Sequence, residues 1–293
     1  MNQFPCVFGE VLFDHFPDGS RVLGGAPFNV AWHLQAFGQA PLFISRVGQD
    51  AEGDEIRIAM QDWGMATDAL QADPELPTGR VAVSFDDGEP SYDIVHPCAY
   101  DAISEININK GCSLLYHGSL AARDETSRQA LLALKEQNPA IIFVDVNLRP
   151  PWWNKQQVLE MLDAADWVKL NTDELMQLHP GQKDIHELAR SFIKKHTLQG
   201  LILTHGARGA ELLSHDGTEV FVAPEKTTEV VDTVGAGDAF ASVVILGLLN
   251  DWDASLILQR AQAFASGIVG NRGATVSEPG FYQAFLDQWQ LNG

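Results

Sequence analysis

Val231-Asp232-Thr233-Val234-Gly235-Ala236-Gly237-Asp238-Ala239-Phe240 marks the point where the chain passes from alternating strands and helices into almost continuous helix. Two glycines flank one alanine just before an apolar helical run, so the backbone can turn sharply and present several N–H groups at a helix N-terminus. Such an end binds an anion. Its partial positive charge suits the charge that spreads over a phosphoryl group during transfer. Asp238 falls in the first helical turn, where two readings stay open on spacing alone. It is either a carboxylate stabilised by the helix dipole or a general base within reach of a hydroxyl aimed at the same phosphoryl group.

Upstream of this stretch, β-rich runs at 4–9, 41–47, 113–117, 140–146, 167–170 and 200–204 alternate with helical patterns at 27–37, 54–63, 124–137 and 185–196. Gly38 stands where a stop for the first helix is expected. Downstream, helices are predicted near 236–249, 254–270 and 280–290. The alternation implies an α/β fold with a mostly parallel central sheet and helices on both faces, because a parallel crossover needs room for a helix. Sites then belong at the carboxyl ends of the strands. Segments 11–23 and 78–95 break the pattern, reading as alternating strands with turns at Pro17-Asp18-Gly19 and Asp86-Asp87-Gly88. Together they predict a small antiparallel β sheet standing off the main one, either as a lid that closes over a substrate or as a plain edge hairpin.

The 293 residues are read as one domain, with the lid inserted in it. Hydrophobic residues at 45% and charged residues at 20% are those of a globular chain with a large core. A net charge of −20, from 39 acidic against 19 basic residues, repels nucleic acid and anionic membranes, so any phosphate site must be local. Cys6, Cys98 and Cys112 lack CxxC spacing and read as free thiols in a reducing compartment, not as a disulfide framework or a zinc site. The N-terminal segment has no basic region followed by a long apolar run, and no stretch of 18 apolar residues occurs, which predicts a soluble cytoplasmic protein.

The run 232–240 resembles the C-terminal signature of the ribokinase-like (PfkB-type) carbohydrate kinases, and Gly24-Gly25-Ala26-Pro27-Phe28-Asn29-Val30-Ala31 resembles their N-terminal one. Between the two signatures, Asp145-Val146-Asn147-Leu148-Arg149-Pro150 is similar to a segment of fructokinase-like members. Leu170-Asn171-Thr172-Asp173-Glu174-Leu175 is similar to the family's NxxE element, and Thr204-His205-Gly206-Ala207-Arg208-Gly209 to its nucleotide-binding turn. The ordered combination covers nearly the whole chain and implies a ribokinase-like kinase that uses ATP and Mg2+ on a sugar hydroxyl, closest to fructokinase.

By this resemblance Asp238 is the base and the N–H groups of Gly235, Ala236 and Gly237 hold the transferring phosphoryl. Asp14, Gly25 and Asn29 are implied on the sugar side and Arg149 on either the substrate or the nucleotide phosphates, with a turn aspartate, a loop glycine, an exposed helix residue and a surface ion pair as the plain alternatives. Asn171, Thr204, Gly206 and Gly209 are implied on the nucleotide side. Asn171 and Glu174, three apart, either organise magnesium-bound water or form a capping box, and both can hold together. A K+ site is implied at Asp232, Val234, Gly273 and Ser277, and a homodimer through the lid. Phe28 stands where smaller residues are usual, either narrowing the sugar pocket or packing beneath the helix.

Ketodeoxygluconate kinase, ribokinase and nucleoside kinase are the neighbouring activities, although no Tyr-Tyr-Arg cluster for a sugar acid occurs in the lid segment. From a different class, a non-catalytic sugar or nucleotide sensor would share the fold. Neither a GxGxxG after the first strand nor a GxxxxGK[ST] loop is present.

Overall fold

The computed structural model describes residues 3–86, 89–109, 111–181, 184–224 and 231–291. Strand β1 (Phe4–Phe8) lies third from one edge of a nine-stranded sheet, between β8 and β4, and the chain then leaves it for β2 (Leu12–His15) and β3 (Arg21–Gly24) of a small one. It returns through α1 (Ala26–Ala36), β4 (Leu42–Gly48), α2 (Ala51–Asp62) and β5 (Leu70–Asp73). The hairpin β6 (Gly79–Asp86) and β7 (Glu89–Ile94) goes back to the small sheet. There follow β8 (Cys112–His117), α3 (Glu125–Glu136), β9 (Ile142–Asp145), α4 (Lys155–Asp163), β10 (Trp167–Asn171), α5 (Thr172–Leu178), α6 (Ile185–His196) and β11 (Gly200–Thr204). Strands β12 (Ala210–Ser214) and β13 (Glu219–Val222) precede the closing helices α7 (Ala236–Leu249), α8 (Ala254–Val269) and α9 (Pro279–Trp289).

The large sheet runs β13-β12-β11-β10-β9-β8-β1-β4-β5, parallel from β11 to β5 and antiparallel at β12 and β13. This is the ribokinase-like α/β fold expected from the alternation of strands and helices. Its parallel strands all end at one edge, which is where the loops carrying polar residues collect.

Both faces of the sheet are covered. Helix α7 is buried along Ala239–Gly247 and apolar nearly all round, as a helix must be when it lies between a sheet and the helices α1 and α8. Below it Phe37 packs on Phe264, Tyr282 and Trp289 with ring centroids 5.0, 5.8 and 5.5 Å apart. Each such side chain removed from water contributes about 1.5–3 kcal/mol. Phe28 belongs to this layer: it is fully buried against Trp32 and Phe43 and packs beneath α1, so it does not narrow a pocket. No helix among the described residues is long and apolar enough to cross a membrane.

The small sheet, ordered β3-β2-β6-β7, corrects one expectation. It is mixed, not antiparallel, because β2 and β6 pair in parallel from Leu12↔Gly79 to His15↔Ala82. Hairpin turns dictate antiparallel pairing only between β2 and β3 and between β6 and β7. The β2–β6 seam is closed by a long excursion through the large sheet, after which both strands leave the core in the same direction. In the turn expected at Asp86-Asp87-Gly88, positions 87 and 88 lie outside the described residues.

Candidate active site

Helix α7 starts from Gly235, whose φ of +77° is the left-handed region that favours glycine. A Cβ there would lie 2.3 Å from the Ala274 Cβ, so the glycine is also required by the loop packed against it. That loop is pinned by α1. Trp32 Nε1 donates to the Val276 carbonyl at 3.0 Å, and His33 Nε2 meets the Ala274 carbonyl at 3.2 Å. Burial pushes the His33 imidazole down to about 3, so the ring is neutral. A carbonyl can only accept, so His33 Nε2 carries the proton and Nδ1 accepts from the Tyr282 hydroxyl at 3.0 Å.

Asp238, one residue beyond the Gly235-Ala236-Gly237 turn, is partly buried, and Asn29 Nδ2 donates to its Oδ2 at 2.8 Å. Burial raises its carboxyl to about 6; the Asn29 hydrogen bond, Lys169 and Arg149 pull it down, and Asp145 pushes it up. Asn29 is 3% exposed and turned into the protein, which excludes the exposed-helix alternative. A Cβ on Gly24 would be 3.9 Å from Asp14 Oδ2 and 4.0 Å from Asn29 Oδ1, so lid strand β2 and helix α1 bring these two oxygens to one place. Asp14, Asn29 and Asp238 therefore line a continuous polar wall. Burial raises the Asp14 carboxyl, with Arg149 opposing.

Gly25 caps α1 at φ +109°, and its close approach is to the backbone of Glu10 and Val11, with an added Cβ 2.7 Å from the Glu10 carbonyl oxygen. Arg149 is exposed beyond β9, and its charge acts on Glu10, Asp14 and Asp238 alike, which places it over the same cleft.

Asn171 and Glu174 form a capping box on α5: Asn171 Oδ1 accepts from Glu174 N at 2.9 Å, and Glu174 Oε2 accepts from Asn171 N at 2.8 Å. Glu174 Oε1 takes the Leu148 N–H as well, at 2.8 Å, tying α5 to the loop that carries Arg149. Each oxygen keeps a second lone pair, so the capping role leaves room for a magnesium-bound water. Thr204 ends β11 beside the Leu170 carbonyl, and Gly206, at φ +59°, has open space where a side chain would be. Gly209 faces away: an added Cβ would lie 1.9 Å from the Val222 carbonyl oxygen, so this glycine serves the β12–β13 packing.

Asp232 bridges two loops, with Oδ1 accepting from Val234 N at 3.0 Å and Oδ2 from Gly273 N at 3.1 Å. Three of the four residues implied for a K+ site are thus brought together, through backbone N–H groups that donate to the Asp232 carboxylate. Ser277 is exposed four residues on.

Sequence reasoning passed over Lys169. It lies in β10, 8% exposed, with Nζ 2.9 Å from both carboxylate oxygens of Asp145, which also accepts from the Tyr116 hydroxyl at 3.3 Å. A Cβ on Gly237 would stand 3.5 Å from Lys169 Nζ, so the ammonium lies directly behind the anion-binding turn. Asp145, Glu174 and Asp238 raise its pKa against burial. A charged residue inside the apolar run of a central strand was the signal, since buried charges are paired or used. Glu10, at the carboxyl end of β1, is the second such residue; burial pushes its carboxyl up to about 7.

An acid held at the mouth of a glycine-lined helix end, with a buried cation behind and the polar side chains of Asp14 and Asn29 beside it, is the arrangement of a phosphotransferase that acts on an alcohol. The comparisons agree. Residues 8–280 match the model of the pfkB family carbohydrate kinases. The aminoimidazole riboside kinase of Salmonella typhimurium is 30% identical over 93% of this chain and 91% of its own length. The fructokinase of Vibrio alginolyticus is 29% identical over 91% of each. The crystal structure of fructokinase from Vibrio cholerae O395, in its fructose, ADP and calcium ion bound form, superposes with a TM-score of 0.81 at 25% identity, covering 97% of this chain and 99% of that one. The chain belongs to the pfkB family of carbohydrate kinases and is a phosphotransferase acting on a sugar hydroxyl.

Proposed function

We propose that the chain is a fructokinase that moves the γ-phosphoryl of ATP to a hydroxyl of D-fructose. The observation that carries this reading is the Asn29–Asp238 bond at 2.8 Å, which fixes the carboxylate between the Asp14–Asn29 wall and the Gly235–Gly237 turn. The choice of fructose rests on Gly24–Ala31, Asp145–Pro150 and Leu170–Leu175 read together, and on the similarity to the two Vibrio fructokinases.

In this mechanism Asp14 and Asn29 orient the sugar, and Asp238 Oδ accepts the proton of the attacking hydroxyl. The N–H groups of Gly235, Ala236 and Gly237 and the Lys169 ammonium donate to the phosphoryl oxygens as charge develops. Because such transition states are loose, proton transfer comes late and position counts for more than basicity. Asn171, Thr204 and Gly206 line the nucleotide side, and Arg149 reaches the phosphates or the sugar through its planar fork. Glu174 would hold a water of a bound magnesium ion, which would supply positive charge to screen the triphosphate. A potassium ion, when bound, would order the turn through Asp232 and the carbonyls of Val234 and Gly273, with Ser277 beside them. The reading also includes a cytoplasmic location and a homodimer joined at the small sheets, where edge strand β7 and its exposed Tyr92 would lie.

The test is product identity: ATP is incubated with fructose, ribose, a nucleoside and aminoimidazole riboside, and the products are read by phosphorus NMR. Fructose phosphate as the fastest product is the expected result. Aminoimidazole riboside phosphate forming fastest would transfer the assignment to the other activity found among the relatives.

A further inference from the structure

Helix α1 meets the candidate site at two levels. Asn29 Nδ2 bonds the Asp238 carboxylate directly, and four residues on, along the same helix face, His33 Nε2 donates to the Ala274 carbonyl at 3.2 Å. Ala274 in turn stands against the start of the anion turn. A Cβ added to Gly235 would lie 2.3 Å from the Ala274 Cβ, 2.5 Å from its Cα and 3.0 Å from its carbonyl oxygen, the atom that His33 holds. Beside this contact Gly273 N donates to Asp232 Oδ2, while Asp232 Oδ1 accepts from Val234 N, so loop and turn are laced together. His33 is fully buried in a layer otherwise built of aromatic rings, with Phe264 and Tyr282 centroids 5.1 and 5.9 Å from its own. Any pair of partners would satisfy a core histidine, but this one is bonded to the carbonyl that abuts the turn.

We propose that His33 is a positioning residue for phosphoryl transfer, its N–H holding the Ala274 carbonyl and thereby fixing where the Gly235, Ala236 and Gly237 N–H groups stand relative to Asp238. One helix then sets both halves of the chemistry, the base through Asn29 and the anion turn through His33. The two halves act together only in the transition state, so a loosened loop costs turnover, whereas the Asp14 and Asn29 contacts that bind the sugar remain. A reacting group misplaced by about 1 Å loses on the order of a hundredfold in rate. The inference rests on the roles given to Asp238 and the turn in the proposed function.

The experiment measures kcat, sugar KM and thermal melting of the full chain and its variants at saturating ATP. The acceptor is whichever of D-fructose, D-ribose and aminoimidazole riboside the wild type phosphorylates fastest. His33→Phe keeps a ring but removes the donor, and should lower kcat about tenfold to a hundredfold while sugar KM moves less than about threefold. His33→Gln supplies an amide donor for the same carbonyl, and should return kcat to within about threefold of wild type. Phe264→Leu disturbs the packing around the same ring without touching the Ala274 bond. It should lower the melting temperature as His33→Phe does and yet keep kcat within about threefold of wild type. If His33→Phe does not melt as a folded protein, His33→Met, a flexible side chain with no donor, carries the comparison. The positioning role is overturned by a donorless variant that keeps kcat within threefold, by a sugar KM that rises as much as kcat falls, by no recovery in His33→Gln, or by an equal kcat loss in Phe264→Leu. A wild type that phosphorylates none of the three acceptors would instead overturn the kinase reading beneath it.

Discussion

Asp238 is worked by opposed forces at one carboxyl group. Burial lifts it to about 6, and the Asn29 amide is the strongest of the groups pulling it back. The ionised form is the base, so kcat/KM should fall as pH drops through about 6, which a pH profile would measure. Asn29→Leu removes a lowering interaction and should move that acid limb to higher pH. The sign for stability is the reverse of a salt-bridged acid: the folded pKa stands above the ordinary 3.8, so wild-type stability declines as pH rises from about 4 to about 6. Asp238→Asn should therefore cost about a thousandfold in kcat while unfolding no earlier than wild type at pH 7.5, and about 1 kcal/mol later once partial exposure is allowed for. Lys169→Met should lower kcat about a hundredfold with little change in sugar KM, the mark of a donor used in the transition state. It also strands Asp145, so thermal melting should show a loss of about 3 kcal/mol, largely restored in Lys169→Met/Asp145→Leu.

Elements set these side chains by how they begin and end. Helix α7 begins at a glycine forced by its positive φ and by Ala274, so Gly235→Ala should cost about 2 kcal/mol or more and weaken the anion turn with it. Glu52 of α2 holds His15, Arg21 and Arg80 of the small sheet at 2.9, 3.4 and 3.1 Å. These pairs lie largely at the surface, so Glu52→Ala should shift melting by less than about 1 kcal/mol yet raise sugar KM several-fold by loosening the lid. Helix α6 and strand β11 were legible to the residue, because amphipathic period or a β-rich run between turn signals fixes both ends. Strands β5, β12 and β13 and helix α4 were not read. Leu-Gln-Ala-Asp and Glu-Val-Phe-Val are short and mixed, and tertiary pairing makes them strands. The acid and glycines of the site were visible from their motif, whereas Lys169 left only the faint signal of a charge within an apolar strand, and its pairing with Asp145 depends on neighbours that no local pattern announces.

Across the whole molecule, the proposed function asks an acidic chain of net charge −20 to bind an anionic co-substrate, and helix-end N–H groups, Lys169 and Arg149 supply local positive charge at one edge of one sheet. The parallel β2–β6 seam joins two distant parts of the chain in the small sheet, from Leu12↔Gly79 to His15↔Ala82. No sequence pattern encodes such a register, since the partners lie far apart and only the folded core brings them together. The most direct test is ADP release with and without fructose for wild type and Asp238→Asn, alongside calorimetric binding of the sugar to both. Fructose-dependent turnover in wild type, lost in a variant that still binds the sugar, is the predicted result. Turnover in Asp238→Asn within tenfold of wild type, or ATP consumption indifferent to every sugar offered, would contradict it.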